Sequence, residues 1–152
     1  MILLDTDILT LYVLGQSRVM ERSRAAAEPA ATSIVSRIEV LQGRFASVLK
    51  ASDGQQLLAA QQRLAALERA LQGFAIVPFD DAAAATFDRL RRDKTATKIG
   101  RADLLIASIA LANRATLVTR NLRHFGLIVG LHWRTGPTDC PWLKPRSVHL
   151  ED

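Results

Sequence analysis

Short apolar runs alternate along this chain with longer stretches of helical character, and that alternation limits the available folds more than any other feature. The runs are "MILL" at 1–4, "PAATSIVS" at 29–36, "FAIVPF" at 74–79, "ATLVT" at 115–119 and "GLIVG" at 126–130. Each is too short for a helix and rich enough in aliphatic and β-branched residues for a buried strand. Between them lie segments with helical spacing. Ile8, Leu9, Leu11, Tyr12 and Leu14 predict a short helix stopped by Gly15, and a second helix runs from near Ser36 to about Leu49. Residues 55–72 carry Leu57, Leu64, Leu67 and Leu71 on one stripe among good helix formers, ended by Gly73. "DDAAAATFDRLRRD" opens with two acids, where a helix dipole favours negative charge, and a strongly apolar helix follows from Arg101 to about Arg114. Strands alternating with helices at these lengths imply right-handed crossovers, and so a three-layer α/β/α fold with a mostly parallel central sheet.

No repeat or internal boundary interrupts residues 1–131, which read as one domain. Residues 132–152, with Pro137, Pro141 and Pro145, read as an irregular tail packed by Trp133 and Trp142. The single cysteine, Cys140, excludes an internal disulfide framework and a Cys-cluster zinc site. With no signal-peptide pattern at the first residues, the expected location is cytoplasmic. The most apolar segment, "LLIASIALA" at 104–112, is about half of the ~20 residues that span a bilayer, so no membrane association is expected. Twenty Lys and Arg against fifteen acids give a net charge of +5, which favours anionic partners such as nucleic acid.

In open α/β sheets ligands bind at the carboxyl ends of strands, and three acids fall near that edge. Asp5 follows the first run, Glu39 lies early in the helix after the second, and Asp103 opens the apolar helix before the fourth. For Glu39 a structural alternative is a capping box with Ser36, and for Asp103 a favourable place in the dipole of its helix. Asp103, however, leads straight into Leu104, Leu105 and Ile106, and an uncompensated carboxylate beside so apolar a helix is costly. A cation shared with other acids compensates it. Carboxylates without cysteine or paired histidine suit a hard, oxygen-loving ion, Mg²⁺ or Mn²⁺. Asp7 reads as a cap of the following helix.

Taken together and in this order, "LLDTDIL", "SRIEVLQG", "GRADLLIASIAL" and "LVTRNLRHF" resemble the PIN-domain ribonucleases, most closely the VapC-type toxins of bacterial toxin–antitoxin pairs. The resemblance covers residues 1–130. It implies a PIN-like nuclease domain acting as a metal-dependent endoribonuclease, with Asp5, Glu39 and Asp103 holding Mg²⁺ or Mn²⁺. It further implies a cognate VapB-like antitoxin and a homodimer. The family often has a fourth acid where this chain has His124, and Asn121 matches a polar position near the family's site; both join the catalytic candidates, while Thr6 and Ser36 are candidates to orient a water. Lys98, Arg101, Arg120 and Arg123 are placed to grip flanking phosphates of RNA. The departure at His124 leaves an alternative, a catalytically degenerate PIN domain that binds RNA or a partner protein without cutting. A more remote alternative is a haloacid-dehalogenase-like phosphatase, suggested by "DTD" after the first strand; that pattern wants a hydroxyl residue where Leu9 stands.

Overall fold

The computed structural model describes residues 1–136. Its first strand, β1 (Ile2–Leu4), is buried along its whole length, which is why it reads as an uninterrupted apolar run. Thereafter come α1 (Thr6–Val13), α2 (Ser17–Ala25), β2 (Ala30–Ser33), α3 (Ile34–Leu49), α4 (Gly54–Leu71), β3 (Ala75–Val77) and α5 (Asp81–Arg91). A 3₁₀ turn at Ala96–Lys98 leads to α6 (Arg101–Ala112), β4 (Thr116–Thr119), α7 (Leu122–Phe125) and β5 (Trp133–Thr135). All neighbouring strands are parallel, in the order β3-β2-β1-β4-β5.

Alternation along β1 sorts the core into two layers. Leu3 points with Leu117 into a cluster built by α5 and α6, including Phe87, Leu104, Ile106 and Ile109. Ile2 and Leu4 point the other way with Val118, against Ile8 and Leu9 of α1, Val19 of α2, and Leu67 and Leu71 of α4. The three-layer expectation holds. From β1 the chain adds strands on one side through β2 and β3, then crosses back to add β4 and β5 on the other. Between β1 and β4 the strand order therefore reverses, and such a switch point opens a crevice at the carboxyl ends of the strands.

Several local expectations are corrected. Residues 126–130 are not a strand. Phe125, Ile128 and Leu131 are buried while Leu127 and Val129 are exposed, a spacing of three that follows i→i+3 bonds from Leu127, Ile128 and Leu131 to His124, Phe125 and Ile128. The fifth strand is Trp133–Thr135, at the start of the stretch read as irregular, held by Leu117 N–H to His132 O at 2.8 Å and Gly136 N–H to Thr119 O at 2.9 Å. Trp133 packs on the core; Pro137, Cys140, Pro141, Trp142 and Pro145 lie outside the described residues. The charged stretch after Gln16 forms α2, whose first turn is capped by the Gln16 side chain on Val19 N–H.

α3 begins at Ile34, with Ser33 as its cap: Ser33 Oγ accepts Ser36 N–H at 2.9 Å. Glu39 then falls in the second turn, so the Ser36–Glu39 capping box does not form. On α4 the leucine stripe divides, with Leu67 and Leu71 in the core and Leu57 46% exposed. Among the described residues no helix is long and apolar enough to cross a membrane.

Candidate active site at the carboxyl edge of the sheet

Asp5 continues β1 by one bond, its N–H donating to Val118 O, and then caps α1: Oδ1 accepts Ile8 N–H at 2.8 Å. The cap that the sequence assigned to Asp7 thus belongs to Asp5. Its second oxygen, Oδ2, accepts the Thr119 hydroxyl at 2.5 Å. Only 3% of Asp5 is exposed, and burial pushes its carboxyl up to about 6. The Thr119 and Ile8 hydrogen bonds pull it down, and the charges of Asp7 and Asp103 push it up again.

From Thr119 the network runs on to α6. Thr119 Oγ1 accepts Asn121 N–H at 2.9 Å, and Asn121 Nδ2 donates to Asp103 Oδ2 at 2.9 Å. His124 Nδ1 lies 2.6 Å from that same oxygen and 3.1 Å from Asn121 Nδ2. Asp103 stands in the first turn of α6, half-buried, where the capping residue Gly100 offers no side-chain hydrogen bond to the helix. Asp5, Thr119, Asn121, Asp103 and His124 therefore form one connected chain of polar groups.

Glu39 is held separately, its Oε2 accepting the hydroxyl of Thr6, the residue after Asp5. It borders a cleft of about 350 Å³ between α1, α3 and α4 that Thr6, Val13, Leu14 and Arg44 also line. Ser36 is fully buried, and its hydroxyl accepts from Ser33 inside the cap of α3. Among the described residues no three His, Cys, Asp or Glu side chains gather closely enough to hold one metal ion. What fits a hard cation is the donor chemistry: Asp5 is a desolvated carboxylate raised further by two acidic neighbours, and a cation is the partner that relieves both effects.

The basic candidates differ among themselves. Arg120 is committed, its Nε and Nη2 on Asp7 Oδ2 and Oδ1 at 2.5 and 2.8 Å, a fork that raises the guanidinium further. Arg101 lies over the Phe87 ring at 5.6 Å; Lys98 and Arg123 are exposed. Sequence reasoning missed Thr119 and the Asp7–Arg120 pair. A hydroxyl ending a buried strand was the available signal for the first.

The sequence model of the PIN domain matches residues 2–127. No curated protein sequence matches the chain. Among solved structures, a chain of VapBC2 from Rickettsia felis, bound to a DNA fragment from its promoter, is similar at a TM-score of 0.75 and 26% identity, over 90% of this chain and 99% of that one. A chain of FitAcB from Neisseria gonorrhoeae is similar at a TM-score of 0.63 and 27% identity, over 84% and 92%. A chain of DNA-bound VapBC from Salmonella typhimurium, 24% identical with a TM-score of 0.74 over 89% and 98%, shares the fold.

Proposed function

Because the chain belongs to the PIN-domain family, we propose that it is a VapC-like toxin, a Mg²⁺- or Mn²⁺-dependent endoribonuclease that a VapB-like antitoxin neutralises in the cytoplasm. The observation that carries this reading is Asp5: a buried carboxylate raised to about 6, at the switch point of the sheet, connected through Thr119 and Asn121 to a second carboxylate. When bound, a divalent cation supplies Lewis-acid stabilisation of the charge that builds on the scissile phosphate.

In this reading Asp5 and Asp103, with Glu39 drawn in from its own cleft, would hold the cation. Thr119 and the Ile8 N–H aim Asp5, Asn121 and His124 aim Asp103, and Thr6 aims Glu39. Lys98, Arg101 and Arg123 draw in the RNA backbone. The antitoxin reading is supported by VapBC2 and FitAcB among the structural relatives and by the cleft beside Glu39, whose wall includes Leu14, 62% exposed. Exposed Phe45 and Leu49 on α3 and Leu58 on α4 support a protein interface, which we assign to a homodimer.

A second reading, a PIN domain that binds RNA without cutting it, is favoured by the lack of a ready three-acid cluster among the described residues and by His124 where the family often has an acid. Purified protein incubated with RNA separates the two. Cleavage that needs Mg²⁺ or Mn²⁺, stops with chelator and is lost in Asp5→Asn and Asp103→Asn supports the nuclease; binding without cleavage under every condition supports the second reading.

A further inference from the structure

Two residues past the end of β3, at the same carboxyl edge of the sheet as Asp5, Phe79 stands with 37% of its surface in water. A residue before a helix cap often packs as a staple on the fourth helical residue, but in α5 that position is Ala84, which offers a single methyl. The cap itself is made by Asp80, whose Oδ1 accepts Ala83 N–H at 2.9 Å. Neither task needs an aromatic ring. The ring rests instead on Phe87, with centroids 6.1 Å apart and planes at 81°, an edge-to-face pair. Phe87 is buried in the core between α5 and α6, so the support is fixed while Phe79 keeps surface open to solvent.

Cations flank the pair. The guanidinium carbons of Arg91 and Arg101 each lie 5.6 Å from the centre of the Phe87 ring, and both side chains reach solvent. Among the described residues neither forms an ion pair with a carboxylate. A guanidinium lying over a ring keeps its in-plane donors for another group. Exposed Lys98 adds a third cation three residues before Arg101. The acids beside Phe79 are Asp80 and Asp81, at the amino end of α5, where the helix dipole offsets their charge.

This cluster adjoins the acids already described. Arg101 precedes Asp103 by two residues on α6, and Asp103 is joined through Asn121 and Thr119 to Asp5. Across the sheet, Phe79 and Asp5 follow strands two places apart, about 10 Å. An exposed ring beside arginines with donors to spare suits a flat heterocycle whose phosphates are drawn to the side. Only an unpaired base offers such a face, because in a duplex its neighbours cover it.

We propose that Phe79 is the platform on which an unpaired nucleobase next to the scissile phosphate stacks, with Phe87 supporting the ring and Arg91 and Arg101 holding the adjoining phosphates. The subsite rests on the nuclease reading of the acids and adds to it a discrimination between unpaired and paired RNA.

Fluorescence anisotropy of the full chain in chelator tests it, with a short labelled oligoadenylate, an oligouridylate and the duplex of the two as probes. Wild type is expected to bind oligoadenylate more tightly than oligouridylate, because the purine stacks more strongly. Phe79→Ala should weaken oligoadenylate binding about tenfold, narrow the gap between the two strands and leave the duplex unaffected. Phe79→Trp should restore the binding, whereas Arg101→Gln should weaken all three probes. Phe79→Leu, apolar but without a flat face, should behave as Phe79→Ala does and carries the comparison should the alanine variant fail to fold. Equal oligoadenylate binding by wild type and either folded variant, or an equal loss for the duplex, overturns the subsite alone. Absence of RNA binding by wild type removes the RNA reading and the subsite with it. A Phe79→Ala variant that binds RNA normally but changes oligomeric state in sedimentation assigns the ring to a protein interface and likewise overturns the proposal.

Discussion

Thr119 joins Asp5 to Asn121 through a single hydroxyl, donating to the Asp5 carboxylate at 2.5 Å and accepting the Asn121 N–H at 2.9 Å. Among the contacts that hold the Asp5 carboxyl down against burial, this one is the largest. Thr119→Val keeps the shape and removes the hydroxyl, leaving a buried carboxylate short of a donor. We expect a loss of about 1–3 kcal/mol in urea unfolding at neutral pH and an upward shift in the pH midpoint of RNA cleavage. Thr119→Ser retains both properties. A valine variant with wild-type stability and an unmoved pH profile removes Thr119 from the site.

Burial of Asp5 also predicts how stability depends on pH. Its carboxyl stands at about 6 in the folded chain against an ordinary 3.8, so the folded state holds this proton more tightly than the unfolded one. The resulting stabilisation is complete below about pH 3.8 and is lost as pH rises through about 6, a cost on the order of 3 kcal/mol at neutral pH. Asp5→Asn does not titrate. Its stability advantage over wild type should therefore grow between about pH 4 and 7, and Mn²⁺ should shrink it at pH 7 but not at pH 4. A difference that is flat with pH contradicts the assignment.

Legibility from sequence followed the physics of each signal. Parallel strands buried on both faces are continuous apolar runs, so β1 and β4 were visible, and Asp5 was conspicuous where the first run stops. Ser33-Ile34-Val35-Ser36 carries two hydroxyls three residues apart around a β-branched pair, so strand and cap could not be separated locally; packing starts α3 at Ile34. "GLIVG" has strand composition but folds by i→i+3 bonds, while Trp133–Thr135 has no alternation and is an edge strand held through its backbone. The Asp7–Arg120 fork joins residues 113 positions apart, a pairing no local pattern announces.

That fork separates the arginines by function. Arg120 and Asp7 are both about half exposed, so the pair contributes roughly 0–1 kcal/mol to stability. If the chain binds RNA as proposed, the larger effect of the fork falls on RNA affinity, because a guanidinium neutralised by a carboxylate releases fewer counterions from a phosphate. Arg123→Gln should lower the salt slope of RNA binding by about one, Arg120→Gln by less, and Asp7→Asn should tighten binding by freeing Arg120. Fluorescence anisotropy in chelator across a salt series reads all three. Equal slopes for the two arginine variants contradict the distinction.

His124 presents its Nδ1 to Asp103 Oδ2 at 2.6 Å, on the oxygen that Asn121 Nδ2 also approaches at 2.9 Å. A carboxylate accepts but does not donate, so the 2.6 Å contact assigns the proton to His124 Nδ1. In the neutral imidazole, Nε2 is then the ring nitrogen that can meet a metal or accept a proton, while Nδ1 keeps Asp103 oriented, an arrangement common around metal-binding groups. An imidazole nitrogen serves Mn²⁺ better than Mg²⁺. We therefore expect faster cleavage with Mn²⁺ than with Mg²⁺ at equal concentration, and a lower Mg²⁺ requirement in His124→Asp. The same substitution sets two carboxylates against each other when metal is absent, so its thermal stability in chelator should fall below wild type, by on the order of 1 kcal/mol, and recover on adding Mg²⁺. His124→Ala should lose the Mn²⁺ preference without that metal-dependent recovery. Three superimposable metal titrations for wild type, His124→Asp and His124→Ala, with equal stabilities in chelator, show that His124 neither orients Asp103 nor serves the metal.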